Sequence, residues 1–559
     1  MNRLSLYIIA LLSLVGVHVN AQETNVRQEV RVIKPYEPVI NDAFKISELP
    51  KIVDTTKVSP EFEYEILPVK HETGFKPQPI KPARLINEPL SKLYYGHLKG
   101  GFGSHLSPLA QIHIGSKRSE DWNWKLIIDH LSSNGKIKNE ADERVYAGFS
   151  NTNASGSVSR FTDNNQVISL GANYFNKSNY YYGYNIDSVN EETYPAPLKK
   201  ADIEKQNINF FKANANWRTN YLDSAHVNYK VDLSWETTQG KASLNENAFK
   251  IKSNIDYYRD NNFIGVDFAL NYYTNNQIDD TLNGAIVKFS PWVGAFGKKW
   301  RIVAGVHTFY DQNNEKYHFY PSVSMHYNII DYFLIPYFEY DGSFEENSYV
   351  EIYNRNPFIR QNLGVKPTDT KMNVTFGFRG NISSKIAFNA KVNYADINDQ
   401  YFFVNDTSLQ LNEKFEVSYD DLTRVRILGE LSYKMNKKLR FSFKTNIFKY
   451  TLENEAQAWH LPNYNMSFNT RYNMQNKIIV NANIFGVGTR YAKTYDADLN
   501  VVEKELPGVI DLNLGLEYRL LKMLSVFADF NNIGAVRYYE WNQYPAQRFN
   551  FMVGATYVF

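Results

Sequence analysis

The chain has 559 residues and no cysteine. That excludes disulfides, thiolate metal sites, thiol nucleophiles and a lipid-modified N-terminal cysteine. Net charge is nearly absent too, with 61 Lys and Arg against 59 Asp and Glu. A chain so close to neutral offers no electrostatic case for a nucleic-acid partner. Long apolar runs are scarce. The one run of note, Leu4 to Val17, falls short of the roughly 20 apolar residues that cross a bilayer as a helix. If this chain enters a membrane it must do so as a closed β-barrel, because only helices and closed barrels satisfy every backbone group in lipid.

What is abundant is aromatic: 41 Tyr and 36 Phe, residues that favour strands and membrane interfaces. The N-terminus, "MNRLSLYIIALLSLVGVHVNAQ", places Arg3 before the apolar run and Ala21 after it. This is the build of a secretory signal peptide over residues 1–21, with the mature chain starting at Gln22. Residues 22–92 hold nine of the 20 prolines, so they read as an extended arm without regular structure. Val30, Val32, Ile33, Val39 and Ile40 make it too apolar for a plain linker, and are expected to dock the arm, either in a barrel lumen or on a periplasmic partner.

From Leu93 to Phe559 the pattern is repeated alternation. In "IDLNLGLEYRL" the apolar set Ile510, Leu512, Leu514, Leu516 and Tyr518 alternates with polar residues that include Glu517 and Arg519. "KLRFSFKTNIF" puts Arg440 and Lys444 on its polar face, and neighbouring strands do the same with Arg379, Lys391, Arg426, Glu430 and Lys434. Side chains alternate across a strand, so these charges are expected to line a wetted lumen wall. Strands of about ten residues cross a bilayer when tilted. Tight turns at "NISSKI", "KMNKKL", "NMQNKI" and "RLLKML" oppose long aromatic loops such as "DGSFEENSYVEIYNRNPFIRQNLGVKPTDT" and "ADINDQYFFVNDTSLQLNEKFEVSYDD". Short turns at one end and long loops at the other describe an outer-membrane barrel. The expected fold is all-β, a transmembrane antiparallel barrel of about 22 strands over residues 93–559, with both termini in the periplasm. Tyr349, Tyr353, Tyr401, Phe402 and Phe403 are expected in loops, available to grip a ligand or a neighbouring protein.

The last strand, "NFMVGATYVF", sets Phe551, Val553, Ala555, Tyr557 and Phe559 on one face. Before it, "SVFADFNNIGAVRYYEWNQYPAQRFN" carries Asn531-Asn532, Tyr538, Trp541, Tyr544-Pro545 and Arg548-Phe549-Asn550. This segment resembles the C-terminus of TonB-dependent receptors, and "VIKPYEPVINDAFKISELPKIVDTTKVSPEFEYEILP" with "PLSKLYYGHLKGGFG" is similar to a subgroup of such barrels from the Bacteroidota. The resemblance implies a 22-stranded barrel that takes up a solute with energy from an inner-membrane protein. It also implies that the five terminal outward residues are a signal read by the barrel assembly machinery. Transporting members carry a globular plug before the first strand. Here only the proline-rich arm is available, as a reduced plug or as something else.

No constellation of residues suggests catalysis. His71 and Glu72 lack a second histidine one turn on, and Asp496, Asp498 and Asn500 open like a calcium loop whose sixth and twelfth positions, Val501 and Pro507, exclude an EF-hand. The expectation is a non-enzyme without cofactor or metal, exported to the outer membrane with its signal peptide removed, its partners being outer-membrane lipid and the assembly machinery. Two functions remain open: receptor-like solute uptake energised from the inner membrane, or a non-transporting scaffold that binds other outer-membrane or surface proteins.

Overall fold

The computed structural model describes residues 93–185, 198–219, 221, 226–241, 244–276, 281–435, 438–495, 498 and 500–559. The signal peptide, the arm with Val30, Val32, Ile33, Val39 and Ile40, the His71–Glu72 pair and Asp496 lie outside these residues.

Twenty-two strands form one antiparallel sheet that closes on itself, from Gly96–Gly103 to Asn550–Val558. The count is the one expected from the sequence. All four tight turns named above join neighbouring strands, for example Thr368–Ser383 to Ile386–Asn405 and Leu439–Leu452 to the preceding Phe415–Met435. No described helix is long and apolar enough to cross a membrane. The outer face is instead a belt of exposed apolar side chains, two or four residues apart along each strand: Phe376 and Phe378, Ile427 and Leu431, Phe443 and Ile447, Ile510 and Leu512. Such a face has no place in water and fits hydrocarbon.

Closure is the demanding step, because each backbone group left unpaired in lipid costs several kcal/mol. The first and last strands pair from His97 with Val558 to Gly103 with Met552. The C-terminal residue completes the seam: the Phe559 carbonyl accepts from Tyr95 N at 2.7 Å and Gly96 N at 3.2 Å, and its own N–H donates to Gly96 O at 3.1 Å. Gly101 faces Gly554 across this seam. Both lie under the ring of Phe527, whose atoms stand 2.9 and 2.7 Å from where Cβ atoms would be, and a Cβ on Gly554 would lie 2.1 Å from Gly100 O. Lys99 Nζ covers the other side of that ring at 3.9 Å.

Tyr401, Phe402 and Phe403 are not in a loop. Strands Ile386–Asn405 and Phe415–Met435 run on through this stretch and remain paired to Asn405 opposite Phe415. Tyr401 and Phe403 enter one buried cluster, while Phe402 and Val404 enter another. Burial on both faces removes the alternation by which a strand is recognised.

Replacing Gly554 with Val is expected to block closure, since the new Cβ meets main chain rather than a movable side chain. Gel electrophoresis of unheated outer membranes would show loss of the compact, heat-modifiable band; an unchanged band would refute this account of the seam.

Candidate functional site: the lumen wall and the capped mouth

The charged residues anticipated for the lumen stand on the face opposite the exposed apolar belt. Register brings four polar residues into one rung: Arg379 opposite Asn389, Asn389 opposite Glu430, and Glu430 opposite Lys444. Lys444 Nζ lies 2.8 Å from Glu430, Asn389 Nδ2 donates to Glu430 at 3.2 Å, and Arg379 lies over the Tyr337 ring at 5.2 Å. Lys391 shares this face one step along its strand, and Arg426 donates to Asn446 Oδ1 at 2.9 Å. Glu517 and Arg519 are apart from these, 3.9 Å from each other on strand Val509–Arg519.

Arg440 belongs to a different group. It faces Lys434 on one side and Arg471 on the other. These three, with Lys99 and Lys385, line a cavity of about 1010 Å³ in which Asp529 is the one lining carboxylate among the described residues. Many of the remaining lining residues are amides, among them Asn469, Asn481, Asn483 and Asn513. Lys99, Lys385 and Arg471 were not singled out from the sequence. Lys99 and Arg471 stand on strands and Lys385 sits in the turn after Thr368–Ser383, and only cross-strand register shows that cations from three strands meet. Like charges directly opposite each other destabilise a sheet, so this row is costly unless something negative faces it.

The end bearing the long connections is capped. Helix Tyr349–Arg355 starts at a capping box, Ser348 Oγ accepting from Glu351 N at 3.4 Å, and buries Tyr349, Val350, Ile352 and Tyr353. Gln206 Nε2 donates to Tyr349 OH at 2.9 Å, Asn179 Nδ2 to Tyr353 OH at 2.7 Å, and Tyr181 OH to Ile359 O at 2.8 Å. These bonds tie the helix to strands Gln166–Tyr180 and Lys205–Thr219 and to the Tyr181 segment between them. From another part of the rim comes the C-terminal segment that carries the receptor-like motif. Its Tyr544 stacks on Phe358 at 3.7 Å between ring centres and donates its hydroxyl to Glu413 O. Trp541 packs against Phe403 at 4.9 Å and His460 at 5.2 Å.

The five aromatics expected to be available for binding are therefore placed otherwise. Tyr349, Tyr353, Tyr401, Phe402 and Phe403 are all buried, from 0% to 6% exposed. Their rings hold the cap together instead of meeting solvent. Nothing in the local sequence separates the two roles, because a ring that packs inward and a ring that grips a ligand are the same residue type.

His460 sits in the middle of the cap. Its Nδ1 donates to Phe403 O at 2.9 Å and its Nε2 accepts from Asn542 N at 3.3 Å, which requires a neutral ring. Burial pulls its pKa down from 6.5 to about 3, with the nearby Arg490 adding to the effect. Arg490 in turn donates to Tyr539 O at 2.7 Å and Glu540 O at 2.9 Å, anchoring the C-terminal segment. Among the described residues, no group of three or more His, Asp or Glu is placed to hold a metal ion.

No protein-family model matches this sequence, and no curated protein matches it. Solved structures do. The pyoverdine outer-membrane receptor FpvA of Pseudomonas aeruginosa PAO1 superposes with a TM-score of 0.63 at 11% identity, covering 84% of this chain and 79% of its own. Fiu, the ferric-catecholate import receptor of E. coli K12, gives 0.59 at 11%, covering 83% and 82%. The copper transporter OprC gives 0.58 at 12%, covering 84% and 82%. The described barrel has the fold of these outer-membrane receptors and transporters. The likeness carried by the C-terminal segment thus extends, as a fold, over the described barrel.

Two outcomes follow from this geometry. Tyr544→Ala, the loss of a buried ring, is expected to cost roughly 3–5 kcal/mol and to loosen the cap. Limited proteolysis would read this as new cleavage near residues 405–415 while the barrel band survives. The second concerns pH. A folded pKa held below the unfolded one means that protonation favours the open state, so the His460 contribution is complete above pH 6.5 and declines as pH falls toward 3. Hydrogen-exchange protection factors of residues 453–463, taken against the intrinsic rate at each pH, should fall across that window in the wild type and much less in His460→Gln.

Proposed function

We propose that this chain is an outer-membrane receptor-like barrel that takes part in uptake of a polar, anion-bearing solute. The observation that carries the reading is the lumen cavity, where Lys434, Arg440 and Arg471 stand opposite one another in a barrel with the fold of import receptors. An anionic solute relieves the repulsion within that row, and the amide side chains around it supply donors and acceptors for hydroxyl and carbonyl groups. In this reading the capped end faces the cell exterior and the tight turns face the periplasm. The signal peptide is removed on export, and the arm of residues 22–92 is the segment within reach of an inner-membrane energising protein. Phe551, Val553, Ala555, Tyr557 and Phe559 are the signal read by the assembly machinery. The nine charged residues anticipated for the lumen serve as a wetted wall along which the solute passes.

A second reading has one observation in its favour. The aromatics of the mouth are spent on the cap's own core, which suits a barrel whose outer end is a rigid docking surface. In that case the chain is an accessory scaffold within a larger outer-membrane assembly.

Arg440→Glu with Arg471→Glu is expected to shift the ion preference of the purified barrel in planar bilayers toward cations; an unchanged reversal potential would remove the anion argument. Affinity purification of the tagged protein from solubilised outer membranes, followed by mass spectrometry, separates the two functions. Recovery alone or with an inner-membrane energising protein supports uptake. Stoichiometric recovery with other outer-membrane or surface proteins supports the scaffold.

A further inference from the structure

The outer face carries one feature that a lipid-facing wall does not need. Ile302, Met325, Phe338 and Phe376 lie in register across four neighbouring strands, and Trp300 lies opposite Tyr327 one row nearer the tight-turn end. Together they line a groove of about 360 Å³ whose accessible surface is almost wholly apolar. The groove has a structural cause. Strands Lys316–Tyr327 and Ile335–Glu345 are paired only from Val323 to His326, and Pro336, beside the end of that ladder, has no N–H with which to extend it.

The rim at the tight-turn end is built as well. The connection between those two strands exposes Ile329, Ile330 and Phe333, and leaves Tyr332 79% exposed. Some turns on that rim are polar, such as Gln475-Asn476-Lys477, while the turn at Leu520, Leu521 and Met523 also exposes apolar side chains. The apolar turn is pinned rather than loose: Asn381 N donates to Tyr332 O at 2.8 Å, and Phe333 O comes so close to Gly380 that a Cβ there would lie 1.9 Å away. The adjoining turn carries Lys298 and Lys299 next to Trp300. Both lysines are exposed and without an ion pair to any described residue, and the Lys299 carbonyl accepts from Asn328 N at 2.6 Å, joining the two turns. Asp331, also exposed, is the carboxylate on the apolar turn, so the rim keeps a net positive charge.

We infer that this groove and rim form a binding site for one anionic phospholipid in the leaflet at the tight-turn end. An acyl chain fills the groove, Lys298 and Lys299 meet the phosphate, and the Tyr332 turn rests at headgroup depth beside it. The charge argues for an anionic headgroup over a zwitterionic one, because basic residues at a membrane surface attract anionic lipid. The position on the apolar belt argues for a lipid over a soluble ligand. The site requires that the barrel spans a membrane and is independent of whether it transports.

The test is native mass spectrometry of the full-length protein in detergent, titrated with phosphatidylglycerol or phosphatidylethanolamine. Three variants are compared with the wild type: Lys298→Ala with Lys299→Ala, Met325→Trp to fill the groove, and Lys477→Ala with Lys522→Ala on distant turns of the same rim. Electrophoretic heat-modifiability verifies that each is folded. The wild type should hold one phosphatidylglycerol more tightly than phosphatidylethanolamine. The Lys298/Lys299 variant should weaken that adduct about 30-fold, from roughly 1 kcal/mol per lysine, and Met325→Trp should lose it, while the distant variant retains it. Equal adducts in all four proteins, or no preference between the headgroups, would overturn the site. So would a stoichiometric protein cross-linked to a photoreactive residue at position 332 in native membranes, which would assign the groove to a protein partner.

Discussion

The structure depends on the pairing of its first strand with its last. A sheet in hydrocarbon tolerates no free edge, so none of the other strands is stable in place until Gly96–Gly103 and Asn550–Val558 meet. The residues at this seam reflect that demand. Gly101 and Gly554 allow the two backbones and the Phe527 ring to come together, and Lys99 seals the ring from the lumen side. The terminal Phe559 is part of the same device, since its backbone supplies both donor and acceptor to the first strand. Closure at 22 strands also sets the width of the interior. Side chains cannot fill a barrel of that size, and the wall is accordingly made of amides, hydroxyls and paired charges.

A wide closed wall leaves an opening at each end, and this chain treats the two ends differently. Most tight turns at one end are small and polar. At the other, strands run on past the length a bilayer needs, and their aromatic residues fold over the mouth. The C-terminal 35 or so residues serve both purposes. Their last strand closes the wall, and the segment before it sends Trp541 and Tyr544 into the centre of the cap. The receptor-like motif in this stretch is thus an element of packing, whatever further role it has. His460 and Arg490 meet burial in the cap differently: one stays neutral, and the other donates from its two terminal nitrogens to backbone carbonyls.

The fold is shared with receptors of about one-tenth sequence identity. A barrel asks of each position mainly that it be apolar outside, polar inside, or able to turn. Very different sequences meet that requirement, so identity falls far while strand number and closure persist. The particular chemistry lies in what varies. Here that is the row of Lys434, Arg440 and Arg471, the lack of a rung-by-rung carboxylate to match it, and the groove below the short ladder at Val323–His326.

Alternation of apolar and polar residues, taken with strand length and the pattern of tight turns and long connections, was enough to indicate the class of fold, a count of about 22 strands, the position of the tight turns and the polar strand face that carries Arg379, Lys391, Glu430 and Lys444. The reason is local: side-chain direction flips at every residue, and the membrane imposes opposite solvents on the two faces. The role of Tyr349, Tyr353 and Tyr401–Phe403 was not legible, because rings buried on both sides of a strand show no alternation. The cation row was not legible either, since its members come from three strands and their meeting depends on register. Those features were decided by tertiary structure, through cross-strand pairing and the folding of distant connections over one another, neither of which leaves a pattern within a single stretch of chain.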